Sequence, residues 1–312
     1  MKKPLKVFTR SLAALVVVVG LIAGVVYWGS ESKLHRHFEL VVSPAPMATD
    51  VGAIERGRHI AITRGCLHCH GEDLAGGTVV NNAMIGKICG PNLTRGLGGL
   101  PEGFGNEDWV RAIRHGVGPD GRPLVIMPAA EFTHLSEDDF GALLAFLLAA
   151  PKVDRATVPV HLGPVGRALV LTGKLPLAAD LIDHATVRPS QVIPGITVDY
   201  GQYLAANCMG CHGPNLSGGK IHGAPPEWPP ASNLTPISDG PLVHWSEADF
   251  IATLRNHRRP NGVELNEAMP RTFGQLTDDE LKALWVYLRT LPPVVTGRRD
   301  LAESSNSISH EK

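Results

Sequence analysis

One short string occurs twice in this chain, and the repetition constrains its fold more than any other feature. Cys66-Leu67-His68-Cys69-His70-Gly71 returns as Cys208-Met209-Gly210-Cys211-His212-Gly213, 142 residues later. Asn92-Leu93-Thr94 returns as Asn233-Leu234-Thr235 at offset 141, and Met127-Pro128 returns as Met269-Pro270 at offset 142. The run from His134 to Asp139 matches Gln275 to Glu280, and Pro151 matches Pro292, both at offset 141. The one-residue slips fall between these blocks, where loops tolerate insertions. Each unit takes roughly 100 residues, a domain's length rather than a solenoid repeat's.

Within each unit the pattern reads helix, motif, long loop, helix, loop, helix. Residues 52–65 and 197–207 lead into the motifs, and 106–115 and 246–257 form the middle helices. Ser246 to Asp249 reads as a capping box, and Ser136-x-x-Asp139 and Thr277-x-x-Glu280 mark the starts of the last helices. Phe140, Leu143, Leu144 and Leu147 then follow a helical period, as do Leu281, Leu284, Trp285 and Leu288. Pro151 and Pro292 stop those helices. No alternating run is long enough to predict a sheet. The loops are too long for a self-sufficient small domain, so something besides side chains must fill each core.

The motif supplies that filler. Cys-x-x-Cys-His is the attachment signature of c-type haem. Two thiols add to the two vinyl groups on one edge of the porphyrin, and the next His offers an axial nitrogen to the iron. Zinc or structural disulfides explain the four cysteines less well, because neither requires a His at that place and no further ligand set of similar spacing is present. The expected cofactors are therefore two covalently bound haem c groups, on Cys66, Cys69 and His70, and on Cys208, Cys211 and His212. Met127 lies 61 residues after Cys66, and Met269 lies 61 after Cys208. Both precede a Pro in the loop before the last helix, which makes them the candidate sixth ligands. His115 and His134 are the alternatives at the first iron, but Asn256 and Gln275 hold the equivalent positions in the second unit. Cys89 has no counterpart; a buried thiol, an intermolecular disulfide and an unusual haem ligand are its readings.

The amino terminus points to a membrane. Lys2, Lys3, Lys6 and Arg10 precede an uncharged run from Ser11 to Ser30, long enough to cross a hydrocarbon core of ~30 Å as a helix. Tyr27 and Trp28 stand at its far end, where interfacial aromatics are favoured, and the basic flank predicts a cytoplasmic N-terminus. The run is longer than the core of a cleaved signal peptide, the rival reading. The expected layout is an anchor over 1–30, a tether over 31–52, haem domains over 53–152 and 195–295 with a strap over 153–194, and a mobile tail over 296–312. The 29 basic and 30 acidic residues give a net charge of −1, which argues against a nucleic-acid partner.

With these residues in place, the chain resembles the class I c-type cytochromes, specifically membrane-anchored diheme cytochromes c. The resemblance rests on the Cys-x-x-Cys-His-Gly pairs, the Met-Pro pairs and the order of three helices. It implies an all-α fold of two tandem domains behind one N-terminal transmembrane helix. It further implies His/Met ligation by His70, Met127, His212 and Met269, and one-electron transfer without substrate chemistry of its own. Expected partners are the membrane and redox proteins: a dehydrogenase, a quinol-oxidising complex or a terminal oxidase. The expected location is the inner membrane, with both haem domains on the periplasmic side. The alternative is a diheme enzyme, of peroxidase or thiosulfate-oxidising type, with a displaceable axial ligand. Arg255, His257, Arg258 and Arg259 form a candidate basic patch for docking an acidic partner.

Overall fold

A computed structural model of the chain describes residues 2–298, apart from 48, 49, 222, 226 and 239. Most of the tail expected over 296–312 therefore lies outside the described residues. The helices are α1 (Lys2–Leu34), α2 (Val51–Thr63), α3 (Cys66–His70), α4 (Asn106–His115), α5 (Ala129–Phe132), α6 (Glu137–Ala149), α7 (Pro164–Leu171), α8 (Val198–Ala205), α9 (Met209–His212), α10 (Glu247–Asn256) and α11 (Asp278–Thr290). The strands are β1 (Gly77–Asn82), β2 (Gly86–Gly90) and β3 (His161–Leu162).

Each unit is built on the crossing of its first and last helices, α2 on α6 and α8 on α11. The residues with helical period on the last helices form the cores. Phe140, Leu143, Leu144 and Leu147 pack with Ile60, Trp109 and Ile113, and Leu281, Leu284 and Leu288 pack with Tyr200, Leu204 and Phe250. A glycine sits at each crossing. A methyl group on Gly57 would come within 1.9 Å of the Ala142 carbonyl oxygen, and one on Gly201 within 2.0 Å of that of Ala283. Ser136 and Thr277 cap the last helices by accepting from the amides of Asp139 and Glu280.

The small sheet departs from the sequence expectation. β1 and β2 form an antiparallel hairpin in the loop after the first motif, and the strap adds β3 by pairing Leu162 with Gly86 and His161 with Lys87. Asn82 shapes the hairpin turn by accepting from the amides of Met84 and Ile85. Ile88, Leu162 and Val170 bury a minor core beneath it. Gly77, Asn81 and Asn82 in β1, a register irregularity at Thr78/Val80, and the two glycines of β2 leave no clean apolar/polar alternation in the sequence.

The expected tether is bound to the body. α1 runs on to Leu34, where α7 of the strap packs against it: Arg167 pairs with Glu31 at 2.6 Å, and Lys33 Nζ donates to the Leu171 carbonyl at 2.9 Å. Arg36 pairs with Asp180, the Phe38 amide donates to the Gly121 carbonyl, and Ala45 exchanges two hydrogen bonds with the Asn106 side chain. The segment from Val7 to Leu34 is long and apolar enough to cross a membrane, with a mean hydropathy of 2.4 over its most apolar 18 residues. The chain thus leaves α1 along a fixed path over the first domain.

Further along, the strap is held by a histidine pair. His115 and His184 meet through their Nδ1 atoms at 3.0 Å, and Arg188 donates to Thr133. Burial pushes the His115 pKa down to about 4, with the charges of Arg188, His184 and Arg114 acting in the same direction. A histidine held neutral in the fold is free to protonate on unfolding, so unfolding takes up a proton on acidification. Stability from this site is complete above about pH 6.5, the ordinary value, and is lost as pH falls from there toward 4. Urea unfolding at pH 7 and 4.5 should show that loss, and His115→Asn should flatten it. An unchanged pH dependence in the variant would contradict this assignment.

The two domains meet across a seam with pseudo-twofold order. Arg56 and Tyr200 each bond a carboxylate of their own domain, Asp139 and Glu280. Three residues later, His59 and Tyr203 bond the other domain's carboxylate: His59 reaches Glu280 at 2.8 Å and Tyr203 donates to Asp139 at 2.5 Å. The acids that the sequence marks as helix-start residues therefore also join the domains.

Candidate functional site

Both motifs fold as a single short helical turn entered from the preceding helix. In the first, Gly65 takes a left-handed φ of 74° before Cys66, and Gly71 takes 78° after His70. Gly213 takes 81° after His212. At these glycines a side chain would be strained. The tight exits return the chain directly behind each His, where a main-chain carbonyl waits. His70 Nδ1 donates to the Pro91 carbonyl at 3.0 Å, and His212 Nδ1 donates to that of Ser232 at 2.7 Å. A proton fixed on Nδ1 leaves the Nε2 lone pair free, the tautomer a metal ligand requires. Burial lowers the pKa of both imidazoles and so favours that neutral form.

The repeated Asn-Leu-Thr explains how those carbonyls are placed. Pro91 and Ser232 immediately precede the Asn of each copy. Asn92 Nδ2 donates to the carbonyls of Val153 and Arg155, beyond the last helix of the first domain. Asn233 Nδ2 donates to the Val294 carbonyl and Thr296 Oγ1, the same place in the second. Each Asn side chain also accepts from the amide of its Thr. The string is thus a clamp that ties the chain end to the loop holding the histidine. Its recurrence was the only sign of this in the sequence.

In the first domain Cys66, Cys69, His70 and Met127 line one cavity of about 360 Å³. Its walls are largely apolar, including Leu93, Leu100, Phe104, Ile113, Leu143 and Leu147. Trp109 also lines it, and the Trp109 indole Nε1 is buried without a hydrogen-bond partner. A buried donor left unpaired is costly, so a bound group with an acceptor at that point fits the site. Two sulfurs beside an imidazole, an apolar slot and an orphan donor together fit a haem c. Burial pushes the Cys66 and Cys208 thiols up to about 12, and none of the five cysteines is in a disulfide.

The remaining sequence candidates fall as follows. Met127 enters the cavity from the loop before α5. Met269 occupies the matching loop, where its carbonyl accepts from His257 Nε2 at 2.8 Å. His257 itself takes a left-handed φ of 54° at the end of α10, where Gly116 closes α4. Cys89 lies on β2, lines the first cavity, and stands 3.8 Å from Thr78 Oγ1. His115 is engaged with His184, and His134 is exposed. The basic patch is partly paired within the fold: Arg255 bonds Gly274 and Asp278, Arg258 bonds Glu264, Arg259 bonds Ser232 and His257 is buried, while Arg255 and Arg258 remain exposed.

Comparison with known proteins agrees with this geometry. Residues 198–292 match the family described as cytochrome c, and residues 52–147 match that described as cytochrome c oxidase, cbb3-type, subunit III. Together these matches span well over half of the chain. A cytochrome c subunit of alcohol dehydrogenase (quinone) from Gluconobacter oxydans (strain 621H) is 28% identical, over 86% of this chain and 63% of its own length. A gluconate 2-dehydrogenase cytochrome c subunit from Pantoea cypripedii is 27% identical, over 76% of this chain and 59% of its own length. A diheme cytochrome c-type protein from Cereibacter sphaeroides is 27% identical, over 80% of this chain and 90% of its own length. The chain spans about 60% of the length of the dehydrogenase subunits it matches. Two matched domains in tandem, each with a carbonyl-oriented histidine behind a cysteine pair, place the chain in the diheme cytochrome c family.

Proposed function

We propose that this chain relays single electrons as the membrane-anchored cytochrome subunit of a quinone-dependent dehydrogenase, with both haem domains on the periplasmic side. The observation that carries the reading is the duplicate histidine geometry, with Nδ1 tied to a main-chain carbonyl and Nε2 left free in both domains. The relatives named as dehydrogenase cytochrome subunits support the partner class.

In this reading Cys66 and Cys69, and Cys208 and Cys211, hold two haems through thioether bonds. His70 and His212 would each hold a haem through an imidazole nitrogen, and Met127 and Met269 through a thioether sulfur. When bound, haem supplies a one-electron Fe(III)/Fe(II) couple. The chain's own residues do the rest. The Asn92 and Asn233 clamps keep each imidazole from turning, which limits rearrangement between redox states. Apolar walls around the first site exclude water and disfavour added charge on the iron. Thioether ligation would raise the potential relative to bis-histidine ligation, and a methionine ligand beside the histidine would leave no place for a substrate. The α1 helix keeps the relay beside membrane enzymes and raises their effective concentration.

Membranes carrying the full chain test this directly. The chain should co-purify with a dehydrogenase, and its optical spectrum should reduce when that enzyme's substrate is added. Rapid cyanide binding to the resting protein, with peroxide turnover, would instead make it an enzyme in its own right.

A further inference from the structure

The seam between the domains brings two charges to the space between the two motifs. Arg64, the residue before Gly65 and Cys66, lines the first cavity and also the cleft between the domains, where Asn207 and Cys208 stand. Its guanidinium lies 5.8 Å from the centre of the Tyr203 ring, in the other domain. Glu131 belongs to α5, four residues after Met127, yet α5 packs on α9 of the other domain. A methyl group on Gly210 would come within 2.2 Å of Glu131 Oε1, so the carboxyl of the first domain rests on the second attachment motif. Neither charge has a counterpart: the second domain carries no acid between Pro270 and Gln275, the stretch matching that around Glu131, and Ala206 stands at the position matching Arg64.

The pseudo-twofold seam is therefore electrically lopsided. Arg64 acts on Cys66 without a counter-charge from Glu131, whereas Cys208 feels Arg64 and Glu131 with opposite signs. Other charges near α5 have partners of their own: on α4, Arg111 with Glu107 and Asp108 and Arg114 with Glu137, and in the strap Asp180 with Arg36 and Arg188 with the Thr133 carbonyl and hydroxyl that end α5. A positive charge near an iron favours its reduced form, and an adjacent negative charge cancels that effect, strongly so where water is scarce.

We propose that Arg64 and Glu131 split the potentials of the two haem sites, making the first site the electron acceptor of the pair. Electrons enter at the second domain and leave from the first, the domain to which α1 is fixed. The internal step moves one electron: the iron held by His212 is oxidised, the iron held by His70 is reduced, and no bond or proton changes. A reduced redox partner supplies that electron and an oxidised one removes it. The inference rests on the proposed two-haem reading.

Optical redox titration of the full, haem-loaded chain at pH 9 tests it, above the Glu131 pKa that burial pushes up to about 7. Wild type should titrate in two steps, and the step displaced in Met127→Leu, assigned to the first site, should be the higher. Glu131→Gln should raise the lower step, and Arg64→Gln should lower the higher step and, because Arg64 also faces Cys208, the lower step as well. A residue that only stabilised the fold would not move the steps in opposite senses when the acid and the base are removed in turn. The proposal is overturned if the first site titrates lower in wild type, or if Glu131→Gln leaves the lower step in place while the Arg64 variant leaves the higher. A chain that titrates in fewer than two steps would defeat the haem reading itself.

Discussion

Alanine at Gly57 is expected to unfold the first domain or to destabilise it by about 3 kcal/mol or more. The added methyl would lie 1.9 Å from the Ala142 carbonyl oxygen, which is main chain inside α6 and has no rotamer to yield. Relief requires α2 and α6 to separate, and their contact is the largest in the first domain. Gly201→Ala should do the same to the second domain, through the Ala283 carbonyl at 2.0 Å. For a domain near 100 residues, about 3 kcal/mol corresponds to a fall in Tm on the order of 15 °C. Thermal unfolding followed by circular dichroism, with each variant alone, reads this out. A fall of less than a few degrees would show that the helices do not cross as tightly as the geometry requires.

The second large effect concerns the methionines. If Met127 holds the sixth position, Met127→Ala replaces a thioether by water or another ligand and lowers the first site's potential. Axial ligands span about 0.8 V across haem proteins, so a drop on the order of 0.2 V is expected. The near-infrared band of thioether-ligated Fe(III) should fall to half, and Met269→Ala should remove the other half. Met84, exposed on the hairpin turn, serves as the control and should change neither. A band unchanged by Met127→Ala would move the ligand elsewhere, with Cys89 on the wall of the same cavity the next to test.

What could be read in the sequence was whatever is local or repeated. Cys66, Cys69 and His70 lie close in sequence, as the proposed reading requires, since they would serve one edge and one face of the same ring. The last helices announce themselves because Phe140 to Leu147 and Leu281 to Leu288 bury one stripe. The Asn92 and Asn233 clamps recur visibly, but their partners lie about 60 residues away, so their role emerges only in three dimensions. The seam is harder still. Arg56 corresponds to Tyr200 and His59 to Tyr203, so equivalent positions carry unlike residues that bond the same kind of acid. The apparent tether between Glu31 and Gly52 is held by Arg167, Asn106 and Asp180, none of them near it in sequence.

Two porphyrins carried by two cysteine pairs are the central expectation for this chain. Intact-mass spectrometry of the purified chain measures this most directly. Wild type should carry the mass of two haems, and Cys66→Ala with Cys69→Ala, or Cys208→Ala with Cys211→Ala, should each remove one. A chain of bare polypeptide mass, or a cysteine-pair variant that keeps both additions, would contradict it.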